Sequence, residues 1–442
     1  MIKRLMPRME ENIYMSTRGV DVFNVVRQVS SDRFQEIVPS AAESNILELK
    51  NILFNEAYKP QLNEFVTNLI NRIGLTIVRN KSYNNPLAMF KKGAVPLGTD
   101  IQDIYTNPAK AEEYVLDDTA AAQLLRISTP DTKAAYYRRN RQDKYVKTIA
   151  RQTLQAAFDS WDKFEDFIVS ISQSLYSGAY IDEFKLTKDL IEGAYANGKI
   201  ITEVISDPTE SEANAKAMIK KVRALYTKMQ APSSKYNAYS VMGNADTPVV
   251  TWTDSSRVVF ITTADVMASV DVDVLAAAFN MSHADFIGRV VVVDGFDDAD
   301  IYGILCDEAW LQIYDNLMQF DEFYNASVMA WNEYLHVWGT FAICPFANAV
   351  CLAKEKPVPA TAISVAAQSV AKGASKTVTA TLTPSNSTTG LSNAYSADER
   401  IATVELDGGS IKLKGVAAGS TTGYVVAENG LTAQFAITVT AA

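Results

Sequence analysis

The chain has 442 residues, with 41 Lys and Arg against 51 Asp and Glu, a formal net charge of −10, two His and three Cys. The length predicts two or three domains, and 48% hydrophobic with 21% charged residues excludes wholesale disorder. Two His exclude a His-rich metal centre, three Cys exclude a disulfide-dense scaffold, and the acidic balance excludes a surface that grips nucleic acid all over.

The first residues are basic (Lys3, Arg4, Arg8), but Glu10, Glu11 and Asn12 follow where a secretory signal needs an apolar run, so no signal peptide is expected. Met15 is an alternative start to Met1. No stretch reaches the roughly 18 uninterrupted apolar residues of a membrane span. The most apolar one, Val337 to Ala353, holds Pro345 and Asn348 and reads as buried strands. Cys306, Cys344 and Cys351 lack C-x-x-C spacing and are expected as buried, reduced thiols, consistent with folding in a reducing cytoplasm.

From Asn84 to Thr106, Asn, Gly and Pro breaks separate short extended pieces. This reads as a long hairpin or arm, and an arm is best explained by a subunit contact. The one basic run follows: Lys133, Arg138, Arg139, Arg141, Lys144, Lys147 and Arg151, with Tyr136, Tyr137 and Tyr145 interleaved. It fits phosphate contact, pairing with an acidic neighbour, or a solvated face. Leu154, Phe158, Trp161, Phe164, Ile168, Ile171 and Leu175 then recur at steps of three and four, which predicts one helix over Ile149–Tyr176 with a single core-facing stripe. Strands are expected at Lys199–Ile205, Arg257–Thr263 and Arg289–Asp294, and helices at Glu212–Met229 and Asp273–Asn280. Helices and strands without βαβ regularity predict an α+β fold.

Near Pro357 the composition changes. The five cations and five anions beyond it cancel, so the net charge of −10 belongs to residues 1–356. Lys354-Glu-Lys-Pro-Val-Pro359 reads as a stiff linker. After it, Val378, Ala380 and Leu382 alternate with Thr, as do Phe435, Ile437 and Val439, and turn signals stand at Asp407-Gly408-Gly409 and Asn429-Gly430. This predicts a small all-β sandwich.

Catalytic signatures are lacking. There is no G-x-x-x-x-G-K-[ST], G-x-G-x-x-G, H-E-x-x-H or G-x-S-x-G, and His283 and His336 lie apart. The acidic loop Asp294–Asp300 lacks EF-hand spacing and reads as a solvated turn. No catalytic residue, cofactor or metal is expected.

Two resemblances add to this reading. Thr377–Asn386, Ile401–Val404, Lys414–Thr421 and Ala436–Val439 resemble a group 2 bacterial immunoglobulin-like module, although the family's usual tryptophan-containing strand is replaced by Leu391–Ser396. The body resembles the major capsid proteins of small short-tailed phages of the phi-29 group. The residues that carry this include Asn84-Asn-Pro-Leu87, Phe90-Lys-Lys-Gly93, Pro96-Leu-Gly98, Arg139-Asn-Arg-Gln142, Ser160-Trp161, Ala278-Phe-Asn-Met281, Tyr314-Asp-Asn-Leu317, His336-Val-Trp338 and Phe346-Ala-Asn-Ala-Val350.

The second resemblance implies the tailed-phage capsid fold of the Hong Kong 97 type over residues 1–356. By that mapping 83–114 is the extended loop that overlies a neighbour, 149–176 the spine helix, and about 210–330 the axial domain. It implies pentamers and hexamers, a scaffolding protein, a portal, and packaged double-stranded DNA held by weak non-specific contact, with no membrane partner. Residues 357–442 would form the immunoglobulin-like domain, bracing the shell or touching host polymers. Lys91, Lys92, Arg138, Arg139 and Arg141 are the candidate intersubunit contacts. The rival readings are a bacterial surface adhesin and another virion structural protein such as a tail tube.

Overall fold

The computed structural model describes residues 19–76, 83–111, 129–241, 247–270, 289–298, 300–407 and 409–441. The expected helix at Asp273–Asn280, His283 and the alternative start at Met15 lie outside them.

Four helices come first: α1 (Gly19–Val29), α2 (Asp32–Ile37), α3 (Ile46–Leu53) and α4 (Lys59–Thr76). Their starts are legible in local chemistry. The Ser31 hydroxyl caps α2 by accepting the Phe34 N–H at 3.3 Å. Each helix turns an apolar stripe inward, and the stripes meet in an aromatic cluster. Phe23 and Phe65 lie 5.0 Å apart between ring centres, and Phe158 and Phe164 4.8 Å.

The helix expected over Ile149–Tyr176 is instead two: α5 (Arg151–Ala157) and α6 (Trp161–Ala196). The break falls at Ser160, which is extended and caps α6 by accepting the Lys163 N–H at 3.3 Å. The apolar spacing carries across the break because Leu154, Phe158 and Phe164 all enter one core. At the other end α6 continues twenty residues past Tyr176. It passes Gly178, beside which the Tyr145 ring lies, and its inward series goes on through Ala179, Phe184, Ile191 and Tyr195.

Two sheets complete the body. In the first, β1 (Lys91–Ala94), β9 (Leu311–Asn325), β10 (Ala330–Ile343) and β4 (Arg141–Ala150) stand in the order β1-β9-β10-β4. In the second the order is β5-β11-β8-β6-β7, with β5 (Ile201–Val204), β6 (Val258–Thr263), β7 (Arg289–Val293), β8 (Ile301–Asp307) and β11 (Ala349–Ala353). The three strands expected from sequence are β5, β6 and β7. The helix expected at Glu212–Met229 is α7, with those bounds. The first sheet packs against α1, α4 and the first half of α6. The second is covered on one face by the second half of α6 and on the other by α7 and α8 (Ala264–Ser269). All three thiols are unpaired and buried, and burial pushes each above its ordinary pKa.

A small hairpin, β2 (Ile101–Thr106) with β3 (Thr132–Tyr137), stands apart from both sheets. The arm expected to end near Tyr114 therefore returns only at Tyr137. The signal for its second strand was the alternation of Lys133, Ala135 and Tyr137 inside the basic run.

The C-terminal part is a sandwich. One sheet is β13-β20-β19-β16, from Gln368–Ala371, Thr432–Thr440, Gly419–Ala427 and Leu391–Ser396; the other is β14-β18-β17, from Ser375–Val378, Ser410–Gly415 and Ala402–Asp407. Strands β12 (Ala362–Val365) and β15 (Ala380–Thr383) pair beside them. The alternating run around Val378–Leu382 is thus shared between two pairings, with Val378 on β18 and Leu382 on β12. The sandwich docks on the end of α6. The Thr388 hydroxyl donates to the Ala196 carbonyl at 2.6 Å, the Tyr195 hydroxyl donates to the Glu355 carbonyl at 2.9 Å, and Gly198 (φ +63°) leaves room for the Pro359 ring. Thr388 so occupies a carbonyl that α6 itself leaves unpaired.

Two substitutions test these packings. Phe158→Ala is expected to cost about 3–5 kcal/mol in denaturant unfolding, since the ring is fully buried. Gly198→Ala combines an unfavourable left-handed backbone, about 1–2 kcal/mol, with a Cβ 2.9 Å from Pro359 Cγ. It is expected to lower the unfolding midpoint of the body slightly and to speed protease cleavage of the 354–359 linker.

Candidate subunit-contact surfaces

The five cations singled out from sequence divide into two groups. Two are consumed inside their own chain. Arg141 is 4% exposed. Its Nε donates to Asp143 at 2.6 Å, and its Nη2 donates to the Tyr145 hydroxyl at 2.9 Å and to the Ala179 carbonyl at 3.1 Å. Tyr145 in turn donates to Asp182 at 2.7 Å. The whole set bolts β4 to α6. Lys91 bridges Glu183 of α6 at 2.9 Å and Asp315 of β9 at 3.0 Å. Burial works against its charge, but the two carboxylates outweigh this and hold its pKa above the ordinary value.

The other three lie at the surface. Lys92 donates to the Glu308 carbonyl at 2.8 Å, and burial of its stem lowers its pKa. Arg138, its side chain 81% exposed, touches Asp100 at 3.0 Å. The Arg139 guanidinium lies 4.6 Å from the centre of the Trp338 ring. Much of the remaining basic run is also paired internally: Lys133 with Asp131 at 2.7 Å and Arg151 with Glu56 at 2.6 Å.

Sequence reasoning by charge missed the apolar surfaces. The β2–β3 hairpin has two faces of different character. One packs down on its own chain: Tyr105 stacks on Phe346 at 5.8 Å, the Tyr137 hydroxyl donates to Asp103 at 2.8 Å, and the Cys344 thiol donates to the same carboxylate at 3.1 Å. The other presents Ile104 and Tyr136, 59% and 62% exposed. A second surface, with exposed apolar groups set among Lys144, Asp321 and His336, lies on the side of β4-β10-β9 turned away from the helices. Val146 and Phe323 stand there, and Val328 and Met329 continue it at the β9–β10 turn, all exposed. The alternation of these strands was the signal that could have found them, because the face opposite the core alternates with it.

The sandwich has a third surface. Tyr395 and Tyr424, register partners on β16 and β19, stack with ring centres 5.0 Å apart. The outward positions around them, such as Asn393, Thr422, Gln434, Thr438 and Ser369, carry no formal charge. Five of the module's ten charged groups lie on the opposite sheet, where Lys412 pairs with Asp407, and the other five lie outside the strands. In the acidic loop, Asp297 comes together with Asp189 and Glu192 of α6, the three carboxylates having oxygens within 4.8 Å of one another. Burial first, then Asp297 and Asp189, push the Glu192 acid up to about 7.

Among the described residues no helix is long and apolar enough to cross a membrane. A family model described as the Phi29-like phage major capsid protein matches residues 23–353, and one described as the bacterial Ig-like domain (group 2) matches residues 357–437. The chain is 37% identical over 337 residues to the major capsid protein of Bacillus phage PZA, covering 76% of this chain and 72% of that one. It is also 37% identical over 370 residues to the major capsid protein of Bacillus phage B103, covering 82% and 80%. Among solved structures, the capsid of Staphylococcus phage Andhra superposes with a TM-score of 0.52 at 14% identity, covering 63% of this chain and 87% of that one. The fold is that of a tailed-phage capsid subunit, and the chain belongs to the Phi29-like phage major capsid protein family, with a group 2 immunoglobulin-like domain attached.

Proposed function

We propose that this head-shell subunit assembles as pentamers and hexamers, with a scaffolding protein and around a portal, into a closed shell that is filled with double-stranded DNA. The observation that carries the contact between subunits is the pair of exposed apolar surfaces. The outward face of the arm, with Ile104 and Tyr136, lies over the outward face of β4-β10-β9 of a neighbour, with Val146 and Phe323. Each surface alone leaves apolar area in water, and burying one against the other recovers it at about 25 cal/mol per Å². Lys92, Arg138 and Arg139 sit beside the arm and are the cations left for acidic groups across that contact. Arg141 and Lys91 serve the subunit itself.

An acidic body suits packaged DNA, since each cationic contact adds phosphate affinity and a filled head must release its contents. The immunoglobulin-like domain stands outward and meets host-surface polymers through the uncharged Tyr395–Tyr424 face. Stacked aromatic rings among hydroxyl and amide groups suit neutral polymers better than charged ones.

Four outcomes check this reading. Ile104→Asp with Tyr136→Asp is expected to leave circular dichroism and the unfolding midpoint of the unassembled chain unchanged while abolishing closed shells in co-expression with the scaffold, as seen by electron microscopy. Arg138→Glu is expected to weaken assembly with the fold intact. Arg141→Glu is expected to fail one step earlier, losing about 3–5 kcal/mol of subunit stability because it breaks a buried ion pair. A chain ending at residue 356 is expected to form normal heads that adsorb less to host cells; heads that fail to close would assign the module to bracing instead.

A further inference from the structure

Glu322 on β9 and Glu333 on β10 are direct register partners in the long antiparallel ribbon. They share the face that also carries Trp331 and Leu335 into the helix-covered core. Side chains opposed in this way have Cβ atoms only about 4.5–5.5 Å apart. Glu333 is fully buried, and neither of its carboxylate oxygens has a partner. Glu322 Oε1 accepts from the Thr67 hydroxyl of α4, while its Oε2 is unpartnered.

The charged groups around the pair do not neutralise it. On the β4 side, Lys147 is the register partner of Glu333, but its ammonium lies 3.5 Å from Ser174 Oγ of α6 and forms no ion pair with either carboxylate. On α4, Lys59 lies 5.3 Å from the centre of the Tyr324 ring and Glu64 bonds to Ser31. Next to Thr67 on α4, Asn63 accepts from the Trp331 indole at 3.2 Å. Among the described residues, Glu322 is the group that acts on Glu333 by charge.

Two carboxylates cannot both ionise side by side in a dry interior, and one proton relieves both problems by removing a charge and supplying a donor. We propose that Glu322 and Glu333 form a one-proton latch that holds helix α4 to the β9–β10 ribbon while the pair keeps its proton and loosens that hold as the pH rises. The electrostatics agree with the geometry. Burial, and then the Glu322 charge, push the Glu333 acid up to about 8, and burial raises Glu322 as well. An unfolded Glu titrates near 4.3. Across the window from about 4.3 to about 8 the folded chain therefore holds a proton that the unfolded chain has released. Stability is full below that window, falls as pH rises through it, and levels off above the folded value.

The test is hydrogen exchange of the full-length chain between pH 6 and pH 9, corrected for the intrinsic exchange rate and read for backbone amides of residues 59–69. Wild-type protection is expected to fall with rising pH, by up to tenfold per pH unit for a single proton, and to flatten above pH 8. Glu333→Gln keeps the shape and stays neutral, so its protection is expected to hold constant across the range. Glu322→Gln removes the opposing charge and provides a second variant should the first fail to fold; Glu333 then ionises at lower pH in the folded chain, so its fall in protection is expected to flatten at lower pH than in wild type. Equal pH dependence in wild type and in a folded variant would overturn the proposal, as would wild-type protection that does not change with pH.

Discussion

The structure depends on α6 being buried along its whole length in two different cores. A helix of 36 residues, Trp161–Ala196, spans about 54 Å at 1.5 Å per residue. Its first half supplies Phe164, Ile168, Ile171 and Leu175 to the core under the β4-β10-β9 sheet. Its second half supplies Phe184, Ile191, Ala194 and Tyr195 to the core under the β5-β11-β8-β6-β7 sheet. It is the one helix of the described residues that enters both of these cores, and the immunoglobulin-like domain sits on its last turn through Thr388 and Pro359.

That constraint explains where the cations went. A long helix crossing a sheet must be held in register along its axis, and apolar packing alone slides. Lys91–Glu183 and Arg141–Tyr145–Asp182 fix β1 and β4 to definite turns of α6. The basic run that reads from sequence as a surface for phosphate or for a neighbour is thus in good part internal fastening. The family does structural work, and the chemistry of these polar side chains goes into holding shape.

Much of the fold was legible in the residues. The α7 helix and the all-β tail follow from periodicity, because one face is buried and the other is wet, whereas the strands at Val258 and Arg289 follow from short apolar runs in a sheet covered on both faces. The break at Ser160 was hidden because the apolar stripe runs through it. Spacing records which side chains are buried, and here two helices bury theirs in the same place. The return strand of the arm was masked by charge, since Lys133 and Arg138 draw the eye from the alternating Ala135 and Tyr137. The buried acid at Glu333 had a readable sign in its apolar neighbours Trp331 and Leu335. Its pairing with Glu322 needs the register of a hairpin whose turn begins three residues beyond Glu322, after Asn325. Of the contact surfaces, the arm was legible as an excursion, but which of its faces is free depends on how it folds back onto Phe346.

The two cores are joined by more than one member. The β9–β10 ribbon, like α6, runs from one to the other: Trp331 and Leu335 lie in the first, and Leu311, Ile313 and Phe341 in the second. Two members fixed at both ends behave as the chords of a truss. Bending would have to stretch one and compress the other, and hydrogen-bonded backbone resists both. Twist about the long axis changes the length of neither. Between its two cores the body is therefore stiffer to bending than to torsion.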